Sequence, residues 1–449
     1  MSQSPSLSSL TEALLDAARK AGAEAADALA VAGQSLTIDL RQGNLEQAER
    51  AEGTEIGLRV LIGRRQACVS ASDTSAATIA ALAERAVAMA REAPEDPTAG
   101  LADPSQLATL RDADALDLRD SSPEPAATAL EAQARAAEAA AMSAKGITQV
   151  ETSATWSQRE MHLAASNGFA GGYGRSSHSL SATAFCGSGT AMERDWAGEG
   201  RIYASDMPSA ETIGALAAER ALSRLGAIKP PTGHFPVLYD ERVAASLIGH
   251  LLSAINGSSV ARGSSWAAKM MGQELLPSGL SLIENPHRVR IGASRPFDAE
   301  GLPTQKRALV QDGVLASWVL DLATGRKLGL PSTGNAARGT SAPPSPSTTC
   351  IDLTPGQSSR ADLLAQMGTG LLVTSMIGST INPTTGDYSR GASGWWVEGG
   401  ELKYPVHECT IAGNLKDMLR RIIPANDARD HLSIRVPSLL VEGLTLAGS

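Results

Sequence analysis

The sequence predicts an α+β fold: an N-terminal region of helices and antiparallel meanders, read as duplicated, followed by a β-rich C-terminal domain. Three observations carry this expectation. The order helix, meander, helix occurs twice before residue 229. The cluster Lys229-Pro230-Pro231-Thr232-Gly233 then marks a boundary. Beyond Asn256 the chain is mostly short alternating runs broken by Gly and Pro. The expected units are residues 1–93, a linker over 94–123, a second α+β unit over 124–228 and the C-terminal domain over 229–449. The duplication is one of pattern, without residue-level identity.

In order, Leu10, Leu14, Leu15 and Ala18 recur at helical spacing and predict a helix over Leu7–Ala21, closed by Gly22. Strands follow over Ser35–Arg41, Leu45–Glu52, Ile56–Ile62 and Gln66–Ser70, with turns at Gly43-Asn44, Gly53-Thr54 and Gly63-Arg64-Arg65. Ser72 or Asp73 is expected to cap a helix over Thr74–Glu92. Residues 94–123 lose large apolar side chains, apart from a candidate strand at Leu107–Leu110. The second unit reads as helix Glu124–Ala144, strands Ile147–Trp156, Glu160–Ser166, Phe169–Cys186 and Thr190–Ala204, and helix Ser209–Leu225 with Gly226 as its cap. Ser166-Asn167-Gly168 is a strong hairpin signal. Past the boundary come strand His234–Tyr239 and helix Asp240–Ile255, an irregular loop at Ser341–Thr349 and terminal strands within Leu432–Leu446.

The densest stretch is Met367–Leu419. The apolar run Leu371-Leu372-Val373 leads into a turn region at Gly378–Gly386. Asp387, Tyr388, Ser389 and Arg390 then place acid, aromatic, hydroxyl and base in a row. Trp395-Trp396, a Gly399-Gly400 hairpin turn and Asn414 as the cap of a last helix complete it.

Composition narrows the function. The 449 residues allow several domains, with only 3% aromatics, so the core must rest on small aliphatic contacts. A net charge of −9 without a basic stripe argues against nucleic acid as a partner. No apolar run reaches the roughly 18–20 residues of a membrane span. The opening MSQSPSLSSLTEALL lacks a basic segment followed by an apolar one, so a cytoplasmic protein is expected. Cys68, Cys186, Cys350 and Cys409 form no CxxC pair and read as reduced thiols.

The seven histidines form no short metal motif. His250 reads as a packing residue of its helix. His407 and Cys409 would share a strand face, but two ligands make a weak site. Nucleophile elbows and phosphate loops are absent from the sequence. Polar clusters remain at Ser294–Gly301, Gly334–Gly339 and Asp387–Arg390. Internal salt bridges are their plain reading; Arg338 and Arg390 facing a cavity and binding carboxylates or peptide carbonyls is the functional one.

These clusters resemble a known family. SRPFDAEGLPTQ at 294–305, GLLVTSMIGSTINPTTGDYSRGASGWWVEGGELKYPV at 370–406 and TIAGNLKDML at 410–419 are similar to the PmbA (TldE) branch of the TldD/PmbA family. LRVLIGRRQACVSASD at 58–73 and SNGF at 166–169 fit as well. The resemblance implies a cytosolic, heterodimeric zinc metallopeptidase that trims or degrades unfolded peptides, its two chains enclosing a cavity. Zinc is expected in the TldD-type partner, on an HExxxH helix with a further Cys. In this sequence the three motif positions fall on Asp240, Glu241 and Ala245, so both histidines are replaced. The resemblance therefore implies a subunit without metal, cofactor or catalytic residue of its own, active only with a TldD-type partner, and no nucleic-acid or membrane partner. Phe297, Asp298, Arg338, Asn382, Asp387, Tyr388 and Arg390 are the candidates for lining the peptide cavity. A catalytically inactive homo-oligomeric peptide-binding or scaffold protein, homodimeric when alone, is the alternative.

Overall fold

A computed structural model describes residues 5–448. Met1–Ser4, part of the segment read for an export signal, and Ser449 lie outside the described residues. The N-terminal half comprises α1 (Leu7–Ala21), β1 (Ala25–Arg41), β2 (Asn44–Ile62), β3 (Arg65–Ala71), α2 (Ala76–Glu92), α3 (Ala127–Met142), β4 (Ile147–Ala165), β5 (Ala170–Cys186), β6 (Glu193–Arg201) and α4 (Ala210–Leu222). Its strands form one antiparallel sheet in the order β3-β2-β1-β4-β5-β6. Each unit is helix, three-stranded meander, helix, and the units join through β1 and β4. Even-numbered residues of β1 face the helices along its length. Ala26, Ala28 and Ala30 pack with α1 and α2, while Leu36, Ile38 and Leu40 pack with α3 and α4.

Each expected meander had four strands; each observed one has three. Gly53-Thr54 is not a turn: β2 runs through it, with Gly53 opposite Gly33. The break expected after Trp156 is also absent, because β4 stays paired with β1 and β5 throughout. The sequence expectation missed the first half of β1, since Ala26–Val31 is buried on both faces and lacks alternation. Ser75 caps α2, whereas Asp73 accepts from the Ser75 amide. α4 ends at Leu222 with Ser223 as its cap, not Gly226. Residues 94–123 contain two short 3-10 turns rather than a strand at Leu107–Leu110. They lie packed against the protein, with Ala102, Ala108, Ala113, Leu116 and Leu118 buried.

The C-terminal half comprises β7 (Gly233–Tyr239), α5 (Glu241–Ala254), α6 (Gly257–Ala261), β8 (Leu282–Glu284), β9 (Arg307–Gln311), β10 (Val314–Leu315), α7 (Leu322–Leu328), β11 (Ala336–Ala337), β12 (Ser345–Pro346), β13 (Ile351–Leu353), α8 (Arg360–Met367), β14 (Gly370–Ile381), β15 (Asp387–Glu398), β16 (Glu401–Asn414), α9 (Leu415–Leu419), β17 (Ile422–Pro424), β18 (Ile434–Arg435) and β19 (Leu439–Ala447). The large sheet runs β16-β15-β14-β7-β19-β17 and closes on itself where β16 pairs with β19. Alternation divides its faces. Val237, Tyr239, Leu371 and Val373 point inward onto Leu247, Ile248 and Leu251 of α5. Leu238 and Leu372 point outward onto Leu363 and Met367 of α8. At the bulged β14–β15 crossing a Cβ on Gly394 would lie 1.8 Å from the Leu372 carbonyl oxygen, so only glycine allows this approach.

Candidate functional site

β7 delivers Tyr239 and Asp240 to the N-terminus of α5. The Asp240 amide donates to the Val373 carbonyl, and its carboxylate caps the helix at the Arg242 amide. That carboxylate is buried and committed: Oδ1 meets Arg242 at 3.3 Å and Oδ2 meets Arg360 at 3.1 Å. Glu241 accepts from Arg429 Nε at 2.8 Å, and Arg429 also reaches Glu199 on β6. Burial pushes the Glu241 carboxyl above its ordinary range, although Arg429 opposes the shift. Ala245 packs on the α5 core. A zinc ion does not fit these residues: two carboxylates held by arginines and one apolar side chain leave no open donor set. Among the described residues no group of three or more His, Cys, Asp or Glu side chains could hold a metal.

The His407–Cys409 expectation is corrected. Glu408 takes a positive φ of 48° in a bulge of β16, so Val406 and Cys409 both point into the core. His407 turns instead to Glu193 at 3.5 Å. Cys409 donates to the Ala392 carbonyl, and burial pushes its thiol up to about 11.

The seven candidate lining residues separate into two groups. Phe297, Asp298 and Arg338 tie the C-terminal half to the N-terminal sheet. Phe297 is buried edge-on against Phe169 at 4.9 Å and Tyr173 at 5.5 Å. Asp298 accepts from the amides of Glu300, Leu302 and Ala336. The Arg338 side chain is buried and paired with Asp27, which also binds Arg59. Beside them Thr340 lies so close to β2 that a Cβ on Gly57 would fall 2.2 Å from its carbonyl oxygen.

Asn382, Asp387, Tyr388 and Arg390 cluster at the far end of the β14–β15 hairpin. Strand structure extends to Ile381, which shortens the expected turn to Asn382–Gly386. Asn382 accepts from the Thr384 and Thr385 amides. Asp387 accepts from Thr385 at 2.6 Å and Asn414 at 3.1 Å, and the Thr385 hydroxyl, followed by Asn414, lowers its carboxyl pKa. Both residues are exposed. Tyr388 is buried beside Tyr239, Met376 and His250; Arg390 donates to the Gly378 carbonyl at 2.8 Å. Trp396 is in the core, edge-on to Phe235 at 5.0 Å. Among the described residues no hydrogen bond, ion pair or ring contact joins the two groups.

β14 also outlasts its neighbour. Its parallel pairing with β7 covers only Leu371–Val373, and from Thr374 to Ile381 the side opposite β15 has no strand partner among the described residues. That stretch carries no charge, and Ile377 is 77% exposed. Sequence analysis missed this edge, as it missed Tyr239, Arg360 and Arg429. Nothing local in the sequence says where a neighbouring strand ends.

Three family models match the chain: PmbA/TldA metallopeptidase domain 1 over residues 26–90, the central domain over 117–225 and the C-terminal domain over 232–448. Metalloprotease PmbA of Escherichia coli O157:H7 is 38% identical over 418 residues, covering 92% of this chain and 90% of the relative. The chain belongs to the PmbA/TldD metallopeptidase family. A PmbA homolog of Haemophilus influenzae is 35% identical, covering 97% of this chain and 94% of its own length. These relatives put the chain on the PmbA side of the family. A solved structure from Bacteroides thetaiotaomicron, described as a candidate modulator of DNA gyrase, superposes with a TM-score of 0.91 at 27% identity, covering 98% of each chain. TldE of Thermococcus kodakarensis shares the fold, with a TM-score of 0.82 at 18% identity over 98% of this chain and 100% of that one. No helix among the described residues is long and apolar enough to cross a membrane.

Proposed function

We propose that this chain is the zinc-free subunit of a cytosolic two-chain metallopeptidase that acts on extended peptides, the metal being carried by a TldD-type partner. The observation that carries the reading is the N-terminus of α5. The carboxylates at the metal-motif positions are bonded to Arg242, Arg360 and Arg429, and Ala245 offers no ligand. The free edge of β14 begins at the same point, one residue past the Val373 carbonyl that receives the Asp240 amide.

On this reading Thr374–Ile381 holds a peptide by strand addition, where main-chain hydrogen bonds accept many sequences. Register shifts between Val373 and Ser375 and between Ile377 and Thr380 leave only a short regular stretch. Bulges of this kind disfavour long edge-to-edge pairing and leave room for a few peptide residues. The β2 edge at 44–55 is also unpaired on its outer side, yet it carries Glu46, Glu49, Arg50, Glu52 and Glu55, a pattern that repels an incoming strand.

The test is peptidase activity on an unfolded peptide for this chain, a TldD-type chain and their mixture, with zinc measured in each. Activity and zinc are expected in the mixture, with no stoichiometric zinc in this chain. Activity of the TldD-type chain that is unchanged when this chain is omitted overturns the proposal, as does a stable homodimer indifferent to that partner.

A further inference from the structure

Arg390 is a half-buried arginine without an ion-pair partner among the described residues. Arg242, Arg307, Arg338 and Arg429 each have a carboxylate partner; Arg390 has none among the described residues. Only its Nε is bonded, to the Gly378 carbonyl at 2.8 Å. It lies two residues after Tyr388 and two before Ala392 on β15, so all three side chains share the inward face.

The polar groups beside it are left with few partners of their own. Tyr239 is fully buried and its hydroxyl, facing that of Tyr388, makes no well-formed hydrogen bond. Burial raises its pKa well above the ordinary tyrosine value, so it stays protonated. The Tyr388 hydroxyl donates to the Met376 sulfur at 3.5 Å. The His250 ring is edge-on to Tyr388 at 5.9 Å, and its Nε2 is buried without a partner. Burial, reinforced by Arg390, lowers the His250 pKa. Among the described residues no carboxylate is hydrogen-bonded or ion-paired to Tyr239, Tyr388 or His250. Met376 and Gly378 belong to the unpaired stretch of β14, so the cluster lies just inside the open edge.

The geometry points to a carboxylate-binding site formed by Arg390, with Tyr239, Tyr388 and His250 behind it, at the inner side of the β14 edge. A guanidinium presents two parallel N–H groups to a carboxylate, and partial burial strengthens the pair. The ligand chemistry is a carboxylate on an extended peptide, supplied by its C-terminus or by an acidic side chain. This inference rests on the proposed function only in laying the peptide along β14.

The full chain, without a partner, is titrated against three dye-labelled hexapeptides, read by fluorescence anisotropy. One has a free C-terminus and no acidic residue, one is its C-terminal amide, and one is that amide with a single Glu. At least one carboxylate form is expected to bind about tenfold more tightly than the neutral amide, a difference of about 1.4 kcal/mol, and which form does so identifies the source. Arg390→Gln is expected to abolish that difference while retaining weak binding of the amide. Arg390→Lys is expected to restore part of it, since the charge returns without the fork. Near-ultraviolet circular dichroism verifies that both variants are folded. Equal binding of the three peptides, no binding of any, or an equal loss for all three in Arg390→Gln overturns the inference. Stimulation of a partner's peptidase is a separate readout. A chain that stimulates its partner but treats the peptides alike keeps the proposed function and loses this site.

Discussion

Phe297, Asp298 and Arg338 on one side, and Asn382, Asp387, Tyr388 and Arg390 on the other, were selected by the same sequence signal but do different work. In the first group the charged side chains are held within the chain: Asp298 holds three amides and Arg338 meets Asp27, with only the Arg338 Nη2 left buried without a partner. In the second group most partners are nearby hairpin atoms or a single carbonyl, and β14, the strand paired beside them, runs on with its other side open among the described residues. A dense polar motif can therefore mark an internal clamp as readily as a surface kept free for a ligand. Counting the partners of each group separates the two.

Breaking the clamp is expected to have the largest effect. Asp27→Ala leaves the buried Arg59 and Arg338 guanidinium groups without their carboxylate and should cost about 3–5 kcal/mol, read as a lower urea midpoint. A wild-type midpoint would show that the two halves are held together elsewhere. The same residue predicts an acid dependence. Burial opposes ionisation of Asp27, but Arg338 and Arg59 outweigh it and hold its pKa below the ordinary carboxylate value. Its contribution is therefore full above the unfolded pKa of about 4 and is lost as pH falls through the folded one. Asp27→Asn should flatten the fall in urea midpoint between neutral and acid pH; an unchanged slope would remove Asp27 from the account.

Asp298→Ala comes next. It strands buried amides of Glu300, Leu302 and Ala336, and about 1–3 kcal/mol is expected from such a loss, measured by the same unfolding curves. Ile377→Lys sharpens the contrast from the other side. Its side chain is exposed, so stability should move by no more than about 0.5 kcal/mol. The peptidase activity of the two-chain mixture should fall about tenfold, because a lysine guards an edge against strand addition. A large stability loss with unaltered activity would reverse the assignment of the two groups. Asp387→Ala, which loses only exposed hydrogen bonds to Thr385 and Asn414, should have the smallest effect, within about 0.5 kcal/mol in thermal unfolding and with no change in activity.

Much of the fold was legible because local chemistry was explicit. The periodicity of Leu10, Leu14 and Ala18, the Asn167-Gly168 turn and the Asn414 cap each act within a few residues. The errors fell where local signs and pairing disagreed. Gly53-Thr54 looks like a turn, yet β1 continues opposite it and holds the chain extended. Glu408 sits in a bulge that no residue pattern announces. The candidate site was partly legible in the same way. Arg390 and Tyr388 could be singled out as chemistry-bearing residues, but Tyr239 and His250 looked like ordinary core positions.

From the sequence alone came the α+β class, the duplicated helix and meander order, and the family resemblance. These follow from residue identity and short-range spacing. Only the tertiary structure decided that β1 and β4 fuse the two meanders into one sheet, that Arg338 is a clamp, and that β14 runs on past β7 with an open edge beside Arg390. Partner choice between segments far apart in sequence sets each of these, and such contacts depend on which surfaces meet rather than on the residues next in the chain.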